Sequence, residues 1–247
     1  MSPSTGPTAF GAALGALVAL LALSGCMADQ TATTASGAEV PPPAIAVTGD
    51  PAAISGASDG IADDASGIDT VVMIGDSITK GATPALDERY ELLGLDHLIE
   101  AQNGKRIAVS SPDNASGVSI AQFVADNGDG DHTDEVWVVA LGTNDVGQYA
   151  SPDEIAAVVN EILAAVPDDA ALVWVDIYFR GRAEAAAEFN EIVRDRVARR
   201  GDSVIAPWAS FAPSEGVLTG DGVHPTSEGA DVFAFVVTDT VRAFLGR

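Results

Sequence analysis

Apolar runs typical of buried strands alternate with stretches of helical periodicity over most of the chain. Strand-like runs occur at 70–74, 97–101, 135–141, 171–177 and 203–207. Helical patterns follow at about 84–93, from 151, over 183–199 and from 226 to about 245. This alternation of five strands with helices predicts a parallel sheet with helices on both faces. We therefore expect an α/β domain with three layers and a five-stranded parallel sheet.

The helix after the third strand has the clearest start signal. Ser151 stands in the cap position, Pro152 in the first turn, and Glu154 three residues after the serine. The apolar residues that keep helical spacing in this stretch are Ile155, Val158, Val159, Ile162 and Val166. The pattern therefore predicts an amphipathic helix with one buried face.

Three short polar segments follow predicted strands. Gly75-Asp76-Ser77 comes after the first strand, Gly142-Thr143-Asn144-Asp145 after the third, and Asp221-Gly222-Val223-His224-Pro225 after the fifth. In open parallel sheets the ligand crevice lies beyond the carboxyl ends of the strands. We therefore expect these segments to meet at one edge of the sheet.

The three segments contain the residue types that nucleophilic catalysis needs. A serine hydroxyl is a weak nucleophile that requires a base, a group that orients the base, and donors for the oxyanion. His224 is a candidate base for Ser77, Asp221 lies near enough on the same loop to orient it, and the Asn144 amide can donate. Each residue alone also fits a turn or a helix start. The combination, in order and at strand ends, favours the catalytic interpretation.

With these segments in place, residues 69–247 resemble the SGNH hydrolases, also called the GDSL esterase/lipase family. Gly75-Asp76-Ser77-Ile78 matches the nucleophile block, with Ile78 in place of the usual leucine, and Gln102-Asn103-Gly104 occupies the place of the glycine block. The two remaining polar segments match the asparagine block and the block that carries aspartate and histidine. The resemblance implies the three-layer α/β/α flavodoxin-like SGNH hydrolase fold for residues 68–247.

The resemblance also implies the site and the chemistry. It predicts a triad of Ser77, His224 and Asp221, with an oxyanion hole formed by the backbone N–H groups of Ser77 and Gly104 and the side chain of Asn144. The implied reaction is hydrolysis of carboxylic esters through an acyl-serine intermediate, without a cofactor or a metal. We expect small acyl esters, such as O-acetyl groups on carbohydrates, as substrates. A lipase, lysophospholipase or thioesterase would show the same segments, and a non-catalytic binding lipoprotein could retain the same cleft.

The N-terminus predicts export and a lipid anchor. Residues 1–25 carry no charged side chain, and the apolar run 10–23 is too short to span a bilayer but fits the core of a signal peptide. Leu23-Ser24-Gly25-Cys26 resembles a bacterial lipobox, and Cys26 is the only cysteine of the chain. We expect a lipoprotein attached to the membrane through Cys26, outside the cytoplasm. Because residues 1–8 lack the usual basic residues, a disordered tail on a cytosolic protein is the alternative.

Composition separates a linker from the domain and excludes one class of partner. Residues 26–67 are rich in small residues and proline and contain no aromatic residue, Lys or Arg, which predicts a disordered linker. A flexible chain of about 40 residues spans roughly 35 Å on average. The net charge of −24 argues against nucleic acid as a partner and indicates a soluble surface.

Two further segments allow two interpretations each. The acidic loop 126–134 suggests calcium, but its spacing does not fit an EF-hand, so we favour a solvated loop. Tyr178, Phe179, Arg180 and Arg182 follow the fourth strand and could either face the substrate or begin the next helix.

Overall fold

The computed structural model describes residues 42, 43, 49, 67–128 and 130–247. The predicted signal peptide, Cys26 and most of the predicted linker lie outside these residues, so those predictions stay predictions. Pro42 and Pro43 line a shallow pocket together with Leu92. Gly49 is buried beside the ring of Phe211, where an added Cβ atom would approach the ring to 2.5 Å.

In the described part of the chain, the sheet has five strands, which we number in chain order. They are β1 (Thr70–Gly75), β2 (Asp96–Ala101), β3 (Glu135–Ala140), β4 (Ala171–Val175) and β5 (Ser203–Ala206). The helices are α1 (Ser77–Leu93), α2 (Gly117–Asn127), α3 (Pro152–Leu163), α4 (Ala183–Val197), α5 (Trp208–Phe211) and α6 (Ser227–Phe244). Single 3₁₀ turns occur at Thr143–Asp145 and Arg180–Arg182.

The sheet is parallel throughout and has the strand order β2-β1-β3-β4-β5. In β1, Met73 pairs with Ile99 of β2 on one side and with Val138 of β3 on the other. The central strands are buried on both faces, which is why they read as continuous apolar runs. The predicted α/β fold with a five-stranded parallel sheet is confirmed.

The two faces of the sheet carry separate hydrophobic cores. Alternate strand residues such as Val71, Met73 and Val138 pack with α1, α5 and α6. Their neighbours Val72 and Trp137 point to the opposite face and pack with α2, α3 and α4. This alternation follows from the two-residue period of a strand and produces the three predicted layers.

Helix α1 begins earlier than the sequence pattern indicated. We predicted a start near Pro84, but the helix begins at Ser77 because the Asp76 carboxylate caps it and accepts from the N–H of Ile78 at 2.9 Å. Pro84 lies inside the helix. This start places Ser77 on the first turn of the helix.

Helix α2 was absent from our prediction, whereas the start of α3 was predicted correctly. Ser116 caps α2 and accepts from Ser119 N, but the fully buried residues of this helix, Gly117 and Ala121, are small, and Val118 and Val124 are only partly buried against the core. In α3, Ser151 Oγ accepts from the N–H of Glu154 at 3.3 Å, as the cap pattern indicated. Within the described residues, no helix has both the length and the hydropathy that crossing a bilayer requires.

The start of α6 is tied to the loop that precedes it. Thr226 donates its N–H to Val217 O at 2.9 Å and its hydroxyl to Gly216 O at 2.7 Å, and its Oγ1 accepts from Gly229 N. Gly229 approaches the backbone of Val217 so closely that an added Cβ atom would lie 1.9 Å from the carbonyl oxygen. Since His224 lies within this loop, the close contact helps to fix its position.

Gly229→Ala is expected to destabilise the domain. A methyl group there collides with backbone, and overpacking of this kind costs about 1–3 kcal/mol of the free energy of unfolding. Gly81→Ala is the matched control, because Gly81 is an exposed position of α1 where a Cβ atom meets nothing within 4 Å. Urea denaturation should show a loss for the first variant and no loss for the second. Equal stability of the two variants would contradict the packing argument.

Candidate active site

The structure brings Ser77, His224 and Asp221 into a continuous line of hydrogen bonds. Ser77 Oγ lies 2.9 Å from His224 Nε2, and His224 Nδ1 lies 2.7 Å from Asp221 Oδ2. An ionised carboxylate can only accept, so the ring hydrogen is on Nδ1 and Nε2 is left to accept from the serine hydroxyl. The arrangement has the geometry of a nucleophile, a base and a group that orients the base.

The surroundings of Asp221 keep it ionised. Its second oxygen, Oδ1, accepts from Thr219 Oγ1 at 2.8 Å, from Val223 N at 2.9 Å and from His224 N at 3.0 Å. The hydrogen bond to the His224 ring, followed by these other donors, holds the pKa of Asp221 well below its usual range. About half of the Asp221 side chain is exposed, so these hydrogen bonds rather than burial hold it in place.

The local structure around Ser77 leaves its backbone N–H available. Ser77 is the first residue of α1, and N–H groups in the first turn of a helix have no acceptor within the helix. The turn from strand to helix is tight, since a Cβ atom on Gly75 would lie 2.1 Å from Thr79 Oγ1. The glycine before Asp76 is therefore required by packing.

Gly104 lies in a turn after β2. Lys105 N donates to Gln102 O at 3.2 Å, and Gly104 has a φ of 72°, which glycine adopts without strain. Among the described residues, none accepts a hydrogen bond from the N–H of Gly104, and the residue is exposed. This donor is therefore accessible to a ligand.

The Asn144 amide bridges the loops that follow β1 and β2. Its Nδ2 donates to Asp76 Oδ2 at 3.2 Å and to Lys105 O at 3.1 Å, beside the two other predicted oxyanion donors. Both amide hydrogens thus have an acceptor in this structure. Because the amide has only two hydrogens, donation to an oxyanion requires one of these bonds to be shared or released.

Asp145 anchors the Asn144 loop, a role that the sequence analysis did not assign. It is fully buried and accepts from Arg106 Nε at 3.1 Å, from Ile107 N at 3.1 Å and from Tyr149 Oη at 2.8 Å. The bonds from Arg106 and Ile107 tie the segment after β3 to the segment after β2. The position of Asp145 beside Asn144 was visible in the sequence, but its donors were not.

Two buried carboxylates directly follow β1 and β4. Asp76 and Asp176 are 1% and 4% exposed and line one small cavity of about 10 Å³ together with Trp208. Burial is the main cause that raises the pKa of each carboxyl to about 6. Trp208 is itself buried and packs edge-on against Phe233, with ring centroids 5.2 Å apart.

A metal site is not formed by the described side chains. Among them, no three His, Cys, Asp or Glu residues are grouped as ligands for one ion. In the acidic loop, His132 is buried and its Nδ1 lies 2.8 Å from Glu135 Oε2, so this histidine has a structural contact.

Comparison with known proteins shows the family of this chain. The GDSL-like Lipase/Acylhydrolase family matches residues 73–232, which is more than half of the chain. The chain belongs to this family. Membership in the GDSL-like acylhydrolases makes it an enzyme of the class that hydrolyses esters. No curated protein sequence matches the chain.

Solved structures of the GDSL-like fold resemble this domain at low sequence identity. A lipolytic G-D-S-L family protein from Veillonella parvula has a TM-score of 0.57 and 14% identity, covering 68% of this chain and 95% of its own. A carbohydrate acetylesterase family member from Sinorhizobium meliloti has a TM-score of 0.55 and 19% identity, covering 73% and 100%. The catalytic domain of peptidoglycan O-acetyltransferase A from Streptococcus pneumoniae has a TM-score of 0.52 and 19% identity, covering 71% and 93%. These likenesses show the shared fold.

The buried carboxylates predict that stability falls as the pH rises from about 4 to 6. In this window the folded state keeps the proton of Asp176, whose pKa is about 6, while the unfolded state has lost it at the ordinary value of 3.8. Asp76 acts in the same direction. Asp176→Asn should make the fall shallower by at most about 3 kcal/mol. Urea denaturation at pH 4, 5 and 6 measures this, and a slope equal to that of the wild type would contradict it.

Proposed function

We propose that this GDSL-like family member is an extracytoplasmic serine esterase that hydrolyses carboxylic esters through an acyl-serine intermediate. Ser77 is the nucleophile, His224 the general base, and Asp221 the residue that orients and stabilises the imidazolium. The observation that carries the proposal is the unbroken line of hydrogen bonds from Ser77 Oγ through the imidazole to the Asp221 carboxylate.

The first half of the reaction forms the acyl-enzyme. His224 Nε2 takes the hydroxyl proton as Ser77 Oγ attacks the ester carbonyl, and the carbonyl oxygen becomes an oxyanion. Its donors are the backbone N–H groups of Ser77 and Gly104 and the Asn144 amide. Loss of one such donor typically lowers the rate by about 10²–10³. The imidazolium then gives its proton to the leaving alcohol as the carbonyl–oxygen bond breaks.

The second half releases the acid. Water gives a proton to His224 and attacks the acyl-serine, and collapse of the second oxyanion returns the proton to Ser77 Oγ. A sugar hydroxyl in place of water would complete an acyl transfer by the same steps. The triad thus serves hydrolysis and transfer alike.

We propose short acyl esters on carbohydrates, O-acetyl groups above all, as the substrate class. Support comes from the carbohydrate acetylesterase family member of S. meliloti, which shares the fold, and from the predicted position in the cell envelope. The proposed membrane anchor favours lipid esters as the second candidate, for which the same triad would serve. The contact between Ser77 and His224 argues against a protein that only binds.

Ser77→Ala is expected to abolish hydrolysis of p-nitrophenyl acetate by the full chain. Removal of a triad nucleophile lowers kcat by about 10⁶ in a well-studied serine protease. The measurement is release of p-nitrophenol, together with labelling of the protein by a fluorophosphonate and mass spectrometry of the adduct. Ser210→Ala, at an exposed serine of α5, is the matched control and should keep both activity and labelling.

A series of p-nitrophenyl esters of increasing chain length separates the candidates. Acetate as the preferred acyl group supports the carbohydrate ester class, while preference for long chains supports the lipid class. A wild type that is inert on every ester and is not labelled at Ser77 would contradict the serine esterase proposal.

Localisation is part of the proposal and rests on the N-terminal sequence. We propose that residues 1–25 act as a lipoprotein signal peptide, that Cys26 carries the lipid after cleavage, and that residues 26–67 link it to the catalytic domain. A linker of this length allows the active site to reach substrates in the cell envelope.

Cys26→Ser should move the protein from the membrane fraction to the soluble fraction of a bacterial expression host. Without the thiol no lipid can be attached, and the rest of the lipobox is unchanged. Fractionation followed by immunoblotting measures the shift, and Ser24→Ala is the control that retains the cysteine. Unchanged membrane association of the Cys26 variant would contradict lipidation.

A further inference from the structure

Cations without an acidic partner are concentrated at the catalytic edge of the sheet. The chain has 12 Lys and Arg against 36 Asp and Glu, and all 12 lie in the described part. The arginines that form ion pairs are Arg106, Arg194, Arg196, Arg199, Arg200 and Arg242. The other six Lys and Arg form no ion pair with a described residue: Lys80, Lys105, Arg180 and Arg182 follow the carboxyl ends of strands, whereas Arg89 and Arg247 lie elsewhere. Backbone carbonyls account for two of these four, since Lys105 Nζ donates to Ala115 O and Arg182 Nη1 donates to Val146 O.

The segment after β4 connects the two sides of the active site. Because β4 lies between β3 and β5 in the sheet, this segment lies between the Asn144 loop and the loop of the triad. Arg182 Nη1 donates to Val146 O at 2.6 Å on the Asn144 side. Arg180 N donates to Gly222 O at 3.0 Å, directly beside Asp221.

The two arginines of this segment differ in their contacts. Arg182 has a structural role, since it binds Val146 O and its guanidinium lies 5.6 Å from the ring centre of Phe179. Arg180 is exposed, and its guanidinium makes no hydrogen bond or ion pair with any residue that the structure describes. A cation just before a helix also opposes the helix dipole, so α4 does not explain Arg180.

Gly222 brings the Arg180 side chain next to the triad. A Cβ atom on Gly222 would lie 2.6 Å from Arg180 Cβ and 3.3 Å from its Cδ, so the aliphatic part of Arg180 packs over this glycine. Gly222 also has a φ of 70°, which places it in the left-handed region. The aliphatic part of Arg180 is therefore held against the loop of Asp221 and His224, and the guanidinium extends from it.

Arg180 lies on the side of the site where the alcohol part of the ester is expected. In the proposed mechanism His224 protonates the leaving alcohol, so that part of the substrate must lie beside His224. A planar guanidinium there matches the geometry of a carboxylate, which it can bind through two parallel hydrogen bonds. In a chain of net charge −24, such a cation also offsets the general repulsion of an anionic substrate.

We propose that Arg180 binds a carboxylate on the alcohol part of the substrate, so that the enzyme prefers esters of acidic alcohols, such as acylated acidic sugars. This inference rests on the proposed esterase function and adds the charge of the substrate to it. Arg180 is a specificity-determining residue of the site, and Arg182 holds its segment in place.

The test uses the full chain and two acetate esters that differ in one charge. The anionic ester is 4-acetoxybenzoate, and the neutral one is its methyl ester. The measured quantity is the ratio of kcat/KM for the anionic ester to kcat/KM for the neutral one. Arg180→Gln should lower this ratio about tenfold, as expected for the loss of one hydrogen bond to a charged group. The loss should appear mainly in KM, because the contact is made in the ground state and the transition state alike.

Two further variants make the result specific. Arg180→Lys keeps the charge without the planar fork and should recover part of the ratio. Arg199→Gln removes the same charge from an exposed position at the other end of α4 and should keep the wild-type ratio. Added salt should reduce the difference in this ratio between the wild type and Arg180→Gln, because screening weakens an exposed ionic contact.

The outcomes separate the two proposals. An unchanged ratio in Arg180→Gln, or an equal fall in Arg199→Gln, would overturn the role of Arg180 while leaving the esterase function intact. Inactivity of the wild type on both esters, with no fluorophosphonate label on Ser77, would overturn the esterase function and this inference with it.

Discussion

The parallel alignment of the five strands is the constraint on which the site depends. Ser77, Asn144 and His224 are far apart in the chain, but each follows a strand whose carboxyl end lies at the same edge of the sheet. An antiparallel strand at any of these places would send its loop to the opposite edge. The strand order also inserts the segment after β4 between the Asn144 and His224 loops, which is why Arg180 packs over Gly222 beside the triad.

Buried carboxylates fix the positions of the loops that meet at this edge of the sheet. Asp145 holds the segments after β2 and β3 together by accepting from Arg106 and Ile107, and Asp76 caps α1 while it accepts from Asn144. The donors to Asp76 do not fully offset its burial, since its pKa stays raised to about 6. Alignment of the site therefore costs stability, as is common where function requires polar groups in a dry environment. Asp221 differs, because it is half-exposed and accepts from four donors.

Strong local patterns explain which elements could be predicted. The buried strands read as apolar runs, and α3 has both a cap signal and a buried stripe, so its start was predicted correctly. The predicted start of α1 near Pro84 was wrong, because the residue that caps the helix is Asp76. Helix α2 escaped prediction because its fully buried residues, Gly117 and Ala121, are small. Local patterns therefore predict an element reliably when its own apolar side chains are buried at regular spacing.

The sequence by itself determined the fold class, the family, and the residue types at the ends of the strands, since these depend on periodicity and on motifs within short segments. Only the tertiary structure decided that Asn144 donates to Asp76 and Lys105, that Asp145 accepts from Arg106, and that the aliphatic part of Arg180 packs over Gly222. Such contacts join loops distant in the chain, and their partners are set by side-chain packing, for which no local pattern in the sequence exists.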